Sequence, residues 1–197
     1  LVSEDNFKGG DKSSNRHGNK GVLSVMDPPS RMPRLANGMP LGICFNPLGV
    51  GSRMNIGQIK EILCGLFAHV LKFQLCADAF NSITISEIRT MMSLTVDLMN
   101  STGDPWIVLN QYKGSVDIGE DDFFKHLVEN IDAIRNFAGC FDKAGTTKVM
   151  LPTNDGKFTE TRILVGWIYV FKLIQESASK MKPEKKKSIR NIHKRKG

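Results

Sequence analysis

The 197 residues are 41% hydrophobic, 24% charged and 8% aromatic, a composition that supports a buried core and excludes a wholly disordered chain, a collagen-like repeat or a coiled coil. The net charge of +7 is unevenly spread: residues 1–60 carry 8 Lys/Arg against 4 Asp/Glu, residues 61–179 carry 10 against 15, and residues 180–197 carry 9 against 1. A basic head and tail around an acidic middle point to a polyanionic partner, although a solvated tail accounts for the last segment equally well.

Residues 1–57 hold 9 of the 18 glycines and 5 of the 8 prolines. Short apolar runs alternate with these breakers, first Gly21-Val22-Leu23-Ser24-Val25 and then Leu41-Gly42-Ile43-Cys44-Phe45. The pattern predicts a β-rich unit of short strands and tight loops. From Asn55 the period changes. Ile59, Ile62, Leu63, Leu66, Phe67, Val70 and Leu71 follow helical spacing, and Asn55 with Gln58 resembles a capping box. Thr84-Ile85-Ser86-Glu87 opens a second helix running to about Asn100, stopped by Gly103-Asp104-Pro105. A third is predicted from Asp121 to Ala138 with Gly139 as its stop. Across this helical middle zone, Met91, Met92, Leu98 and Met99 read as core. Strand character returns at Val149-Met150-Leu151 and over 163–173, on either side of the turn Asn154-Asp155-Gly156. The four cysteines fall in no CxxC pair and read as reduced, buried thiols of a cytoplasmic protein with no zinc site. The chain starts at Leu1, with no secretory signal. The most apolar stretch, 62–80, is broken by His69, Lys72, Gln74 and Asp78, which argues against a membrane span.

The sequence has no GxxxxGK[ST], HExxH, GxSxG or DxDxD motif, and His17, His69, His126 and His193 lack metal-ligand spacing. His69 and His126 read as structural or surface residues. Two segments carry chemistry. Gly9-Gly10-Asp11-Lys12-Ser13-Ser14-Asn15-Arg16-His17-Gly18-Asn19-Lys20-Gly21 combines three cations and a histidine with glycines that let backbone approach a ligand closely. Asn46-Pro47-Leu48-Gly49-Val50-Gly51-Ser52-Arg53-Met54-Asn55-Ile56-Gly57-Gln58 sets an arginine at a helix mouth, where a phosphate would also meet free N–H groups. Each alone is a moderate anion-site signal, since surface turns rich in Lys and Gly are common.

Together, Gly10-Asp11-Lys12, Arg16-His17-Gly18-Asn19-Lys20-Gly21, Asn46-Pro47-Leu48-Gly49-Val50 and Ser52-Arg53-Met54-Asn55-Ile56-Gly57-Gln58 resemble the second-largest (β) subunit of multisubunit DNA-dependent RNA polymerases. Val165-Gly166-Trp167-Ile168-Tyr169, Lys172-Leu173 and Lys180-Met181 extend the resemblance downstream. It implies an α+β fold: a double-psi β-barrel segment over 1–57 bearing the lysine loop, a helical insertion over 58–148, returning barrel strands over 149–182 and a basic tail over 183–197. It also implies that Lys12 and Lys20 lie against phosphates of the RNA 3′ end and incoming nucleotide, and that Arg53 contacts the triphosphate. Asp11, Arg16 and His17 support them from within the same motif. Magnesium would be held by aspartates of a β′-like partner subunit and not by this chain, which would be inactive alone. The implied partners are β′-like subunits, the remaining part of β, DNA template, RNA product and NTP, with no membrane. Gly51 stands where the family usually has proline, and Ser13-Ser14-Asn15 replaces its usual triplet. A histidine commonly follows the Lys-Met pair, and here Lys182 takes that position as electrostatic support for phosphates. The family's later Gly/Gln/Arg/Phe-rich segment and everything upstream of the lysine loop are absent, so the chain is expected to be at most the C-terminal part of a β subunit. Its expected setting is a split β subunit of a giant bacteriophage, working in the host cytoplasm or carried in the virion. The alternative is a non-catalytic nucleic-acid-binding or assembly protein on the same scaffold; retention of Lys12, Lys20 and Arg53 speaks against it.

Overall fold

A computed structural model describes residues 6–76, 83–115, 120–152 and 156–173. Lys182, the basic tail and two residues of the Asn154-Asp155-Gly156 turn lie outside the described residues. The chain mixes helices with short strands, the α+β class expected. It divides into two compact units, one made of Leu1–Ser14, Lys20–Met26 and Phe171–Gly197, the other of Asn15–Asn19 and Asp27–Val170.

The first unit holds β2 (Lys20–Val22) and all but one terminal residue each of β1 (Lys12–Asn15) and β5 (Val170–Lys172), strands ordered β2-β1-β5. β1 and β2 are antiparallel. The Leu173 amide donates to the Lys12 carbonyl (2.8 Å), which ties the end of β5 to the start of β1.

The second unit is mostly helical: α1 (Pro47–Gly51), α2 (Ile56–Val70), α3 (Ile85–Asn100), α4 (Pro105–Gln111), α5 (Glu120–Glu129) and α6 (Ile131–Arg135). It also holds the two-residue strands β3 (Thr146–Thr147) and β4 (Ile163–Leu164), paired antiparallel. α3 is its central element and packs against α2, α4 and α6. Eight of its side chains are buried, among them Met91, Met92, Leu98 and Met99, as their spacing predicts. Thr95 is the one polar residue of the eight, and its hydroxyl donates to the Met91 carbonyl one turn back (2.6 Å). The Thr84 capping box forms as read: the Thr84 hydroxyl accepts from the Glu87 amide, and the Glu87 carboxylate accepts from the Thr84 amide.

Four local expectations are corrected. Gly103-Asp104-Pro105 ends α3 but also starts α4: the Asp104 carboxylate accepts from the Trp106 amide (3.0 Å), and Pro105 sits at the first helical position, where its missing N–H costs nothing. The single helix expected over 121–138 is two, broken at Asn130, whose side-chain amide takes the His126 carbonyl (2.9 Å). Gly139, at φ +71°, still closes that region. The run 41–45 forms no strand. Preceding it, Leu35 N–H donates to Met39 O around the left-handed Gly38, and the Leu41 amide is spent on the Pro33 carbonyl. Lastly, of the cysteines only Cys140 is buried; Cys64 is half-buried, and Cys44 and Cys76 are exposed. Among the described residues, no helix is long and apolar enough to cross a membrane.

One ridge of α2 organises its surroundings. Gly57, Glu61, Gly65 and His69 recur every fourth residue and so share a helix face. The backbone of Trp167 lies directly on Gly65, and its ring stacks on His69 with centroids 3.8 Å apart. Burial, with Lys72 nearby, holds the His69 imidazole below its ordinary pKa, so the ring meets Trp167 as a neutral, flat group.

Candidate functional site

The β1–β2 hairpin carries the two lysines singled out by the sequence. Lys12 pairs with Val22, Ser13 with Gly21 and Ser14 with Lys20. Residues opposite or two apart share a face of such a ribbon, so Lys12 and Lys20 stand on one side at diagonal positions, about 7–8 Å apart at the backbone. Lys20 is exposed and Lys12 half-buried. The hairpin thus presents two like charges to one side, an arrangement suited to a polyanion.

Asp11, just before β1, is buried at 2% exposure. Its carboxylate pairs with the Lys172 ammonium (3.2 Å) and accepts from the Lys8 amide (2.9 Å), while its carbonyl accepts from the Leu23 amide (2.9 Å). Asp11 therefore braces the hairpin start. Its pairing also joins two of the motif segments, 9–21 and 165–173.

Arg16 and His17 belong to the turn 15–19, in the second unit. The Asn15 side-chain oxygen accepts from the His17 and Asn19 amides (2.9 and 3.0 Å), and Gly18 takes the left-handed conformation (φ +76°) that closes the turn. α2 receives this turn on three residues, Gly57, Gln58 and Glu61. At Gly57 an added Cβ would sit 2.7 Å from His17 Nδ1, so a larger residue there would require the His17 ring to shift. Gln58, buried, accepts through Oε1 from the Asn19 side-chain amide (3.1 Å). Glu61 binds both cationic side chains: Oε1 accepts from Arg16 Nε and Nη2 (3.1 and 2.5 Å), and Oε2 meets His17 Nε2 at 2.5 Å. The Tyr169 amide donates to Oε1 as well (3.2 Å), and the Arg16 guanidinium lies 5.2 Å from the Tyr169 ring centroid. Burial pushes the Glu61 carboxyl up, but hydrogen bonds from Arg16, Tyr169 and His17 and the charge of Arg16 outweigh it, leaving the group below its ordinary range and ionised. Sequence reasoning missed Glu61. Its only local signal is its place one turn after Gly57 and Gln58, inside the motif's helix.

Arg53 is exposed in the turn between α1 and α2, also in the second unit. Asn46 caps α1 by accepting from the Leu48 amide (3.0 Å), and Met54, at φ +51°, swings the chain into α2. The expected capping box at Asn55 and Gln58 does not form. Asn55 makes no side-chain cap, Gln58 spends its side chain on Asn19, and the Ile56 and Gln58 amides are taken by the Met54 and Asn55 carbonyls (2.8 and 3.1 Å). The mouth of α2 is thus less open to an anion than its sequence suggests.

Three of the described carboxylates are already engaged by cations or donors. Asp11 is tied to Lys172, Glu61 to Arg16 and His17, and Asp97 to Lys143 and the Tyr112 hydroxyl. No three His, Cys, Asp or Glu side chains among the described residues gather as a metal-binding group.

A family model for RNA polymerase Rpb2, domain 6, matches residues 1–194. The chain belongs to this family. Among curated proteins, a DNA-directed RNA polymerase subunit beta of Clostridium botulinum (strain Alaska E43 / Type E3) is 45% identical over 92 residues, 47% of this chain and 7% of that protein. The Rpb2 domain 6 match spans the lysine hairpin, the Arg53 turn, the α2 ridge and the helices between them and β5.

Proposed function

We propose that this chain is the part of a DNA-directed RNA polymerase β subunit that brings cations, and no metal, to the active centre, within a double-psi β-barrel completed by other polypeptide segments. The observation that carries this reading is the pair Lys12 and Lys20 on one face of the β1–β2 hairpin, in a chain whose residues 1–194 match Rpb2 domain 6. During RNA synthesis the RNA 3′-hydroxyl attacks the α-phosphate of an NTP and pyrophosphate leaves. Negative charge gathers on phosphoryl oxygens, where fixed cations stabilise it without reorganising. Lys12 and Lys20 act as point charges on the phosphates at the reacting end. Arg53 grips the triphosphate with its planar fork. Lys182 adds electrostatic support where the family commonly has histidine. Magnesium held by aspartates of a β′-like partner supplies the metal chemistry. The remaining part of β, the DNA template and the RNA product complete the assembly, and the setting we favour is the split polymerase of a giant bacteriophage, in the host cytoplasm or virion.

Reconstitution tests this reading. The chain mixed with its β′-like and remaining β polypeptides should synthesise RNA, and omitting the chain should abolish synthesis. Equal synthesis without it, or stable nucleic-acid binding by the chain with no polymerase partner, would leave the non-catalytic binding protein as the better reading. In the assembled enzyme, Arg53→Ala should raise the apparent KM for NTP more than it lowers kcat, because the residue holds substrate and transition state alike. Single-nucleotide addition across an NTP titration measures both.

A further inference from the structure

Glu61 gathers the Arg16 guanidinium, the His17 ring and the Tyr169 amide on one carboxylate whose side chain is only 14% exposed. Arg16, by contrast, is 62% exposed, so a salt bridge at this place is not needed to bury an arginine. The contact constrains the turn. Gly57 accommodates the His17 ring, Gln58 takes Asn19, and Glu61 takes Arg16 and His17, so three residues of the turn 15–19 are fixed by one helix face. That turn closes the hairpin whose strands carry Lys12 and Lys20, and its own ladder bond, Asn15 N–H to Asn19 O (3.0 Å), continues the Ser14–Lys20 pairing.

We infer that Glu61 is a positioning residue for nucleotide addition: by holding Arg16 and His17 it sets the hairpin turn, and through the turn the register at which the two lysines are presented. It touches no substrate. The inference rests on the reading of Lys12 and Lys20 given above. A positioning group of this kind matters because small displacements of charged groups from the reacting phosphates are costly, a 1 Å error reaching about 10²-fold in rate.

The test is made on the assembled polymerase, with single-nucleotide addition as the readout. Glu61→Ala should lower kcat by ~10–10²-fold with little change in the KM for NTP, since the lost quantity is geometry in the transition state. Glu61→Gln keeps the shape and an acceptor oxygen but loses the charge, so it should assemble and fall by roughly 3–10-fold. Wild-type kcat in Glu61→Gln would overturn the inference even if Glu61→Ala fails to assemble. A cycle isolates the route: added to Arg16→Ala/His17→Ala, Glu61→Ala should cost less than about threefold more, because its partners are already gone. A full second loss would show that Glu61 acts elsewhere. Tyr112→Phe removes the hydroxyl bonded to Asp97 in the helical part, and should lower thermal stability while leaving kcat alone. If it slows addition as much as Glu61→Ala, the effect is general loosening and the inference fails. Fully active Lys12→Ala and Lys20→Ala enzymes would refute the reading of the hairpin itself, whereas slow lysine variants beside unaffected Glu61 variants would refute only the role of Glu61.

Discussion

Replacing Lys12 or Lys20 by alanine is expected to lower nucleotide addition by ~10²–10³-fold in the assembled polymerase, the loss typical of removing one fixed electrostatic stabiliser from a charged transition state. The size follows from where the charge develops. In the ground state the phosphates are already anionic and bound. In the transition state, charge spreads over the phosphoryl oxygens, and a cation held beside them does work that a mobile counterion cannot. The loss should therefore appear in kcat at saturating NTP, in contrast to Arg53→Ala, whose effect falls mainly on KM. Folding should survive. Lys20 is exposed on β2, and the pairings Lys12–Val22 and Ser14–Lys20 are backbone contacts that no side chain is needed to make. An exposed substitution such as Lys20→Ala usually stays within about ±0.5 kcal/mol, whereas Lys12 is half-buried and its variant is compared only once its assembly is verified. Because both lysines serve one face, the double variant should lose less than the product of the single losses. Assembled single variants with unchanged kinetics would remove the hairpin from the active centre.

How far the sequence carries the argument depends on the range of the signal. α3 is legible to the residue because its start is written locally: Thr84 and Glu87 satisfy each other's amides within one turn. α2 is legible from periodicity, yet its cap is not, because Gln58 is drawn away by Asn19, a residue 39 positions earlier. Gly103-Asp104-Pro105 is a sound stop signal whose second meaning, the start of α4, is equally local but hidden by the first. The eight-residue step between Lys12 and Lys20 is a sequence fact. Their common face is a register fact, fixed only once a turn of known length joins the strands. Glu61 leaves only its place one turn after Gly57 and Gln58 as a local trace, and the Asp11–Lys172 pair leaves none, since each depends on a partner at least 44 residues away. Resemblance to a polymerase subunit already sets Lys12, Lys20 and Arg53 apart from the supporting Asp11, Arg16 and His17; the geometry adds that Asp11 pairs with Lys172 and that Arg16 and His17 are held by Glu61.

The glycines of α2 illustrate the same divide and yield the largest stability effect expected here. In an open helix, Gly65→Ala would gain about 0.5–1 kcal/mol, because alanine loses less backbone entropy on folding. At Gly65 an added Cβ would sit 2.1 Å from the Trp167 carbonyl oxygen and 2.9 Å from its carbonyl carbon. Backbone cannot swing aside as a side-chain tip can. The opposing wall is just as close-fitting: a Cβ on Gly166 would lie 2.3 Å from the Ile62 carbonyl oxygen. The segment 165–169 is thus laid on α2 through a glycine from each side, and moving it would break the Tyr169–Glu61 hydrogen bond and unstack Trp167 from His69. Overpacking of this kind costs typically ~1–3 kcal/mol and sometimes more, which outweighs the helical gain. For a chain of this size a net loss of about 2 kcal/mol corresponds to a fall of roughly 4–8 °C in Tm. Gly49→Ala in α1 is the matched comparison, since nothing lies within 4 Å of its added Cβ, and it should be neutral or stabilising by a few tenths of a kcal/mol. Thermal unfolding of the two variants beside the parent chain decides the matter. A Gly65→Ala chain as stable as Gly49→Ala would mean that the 165–169 segment does not rest on this ridge in solution, and the support assigned to Glu61 from Tyr169 would go with it.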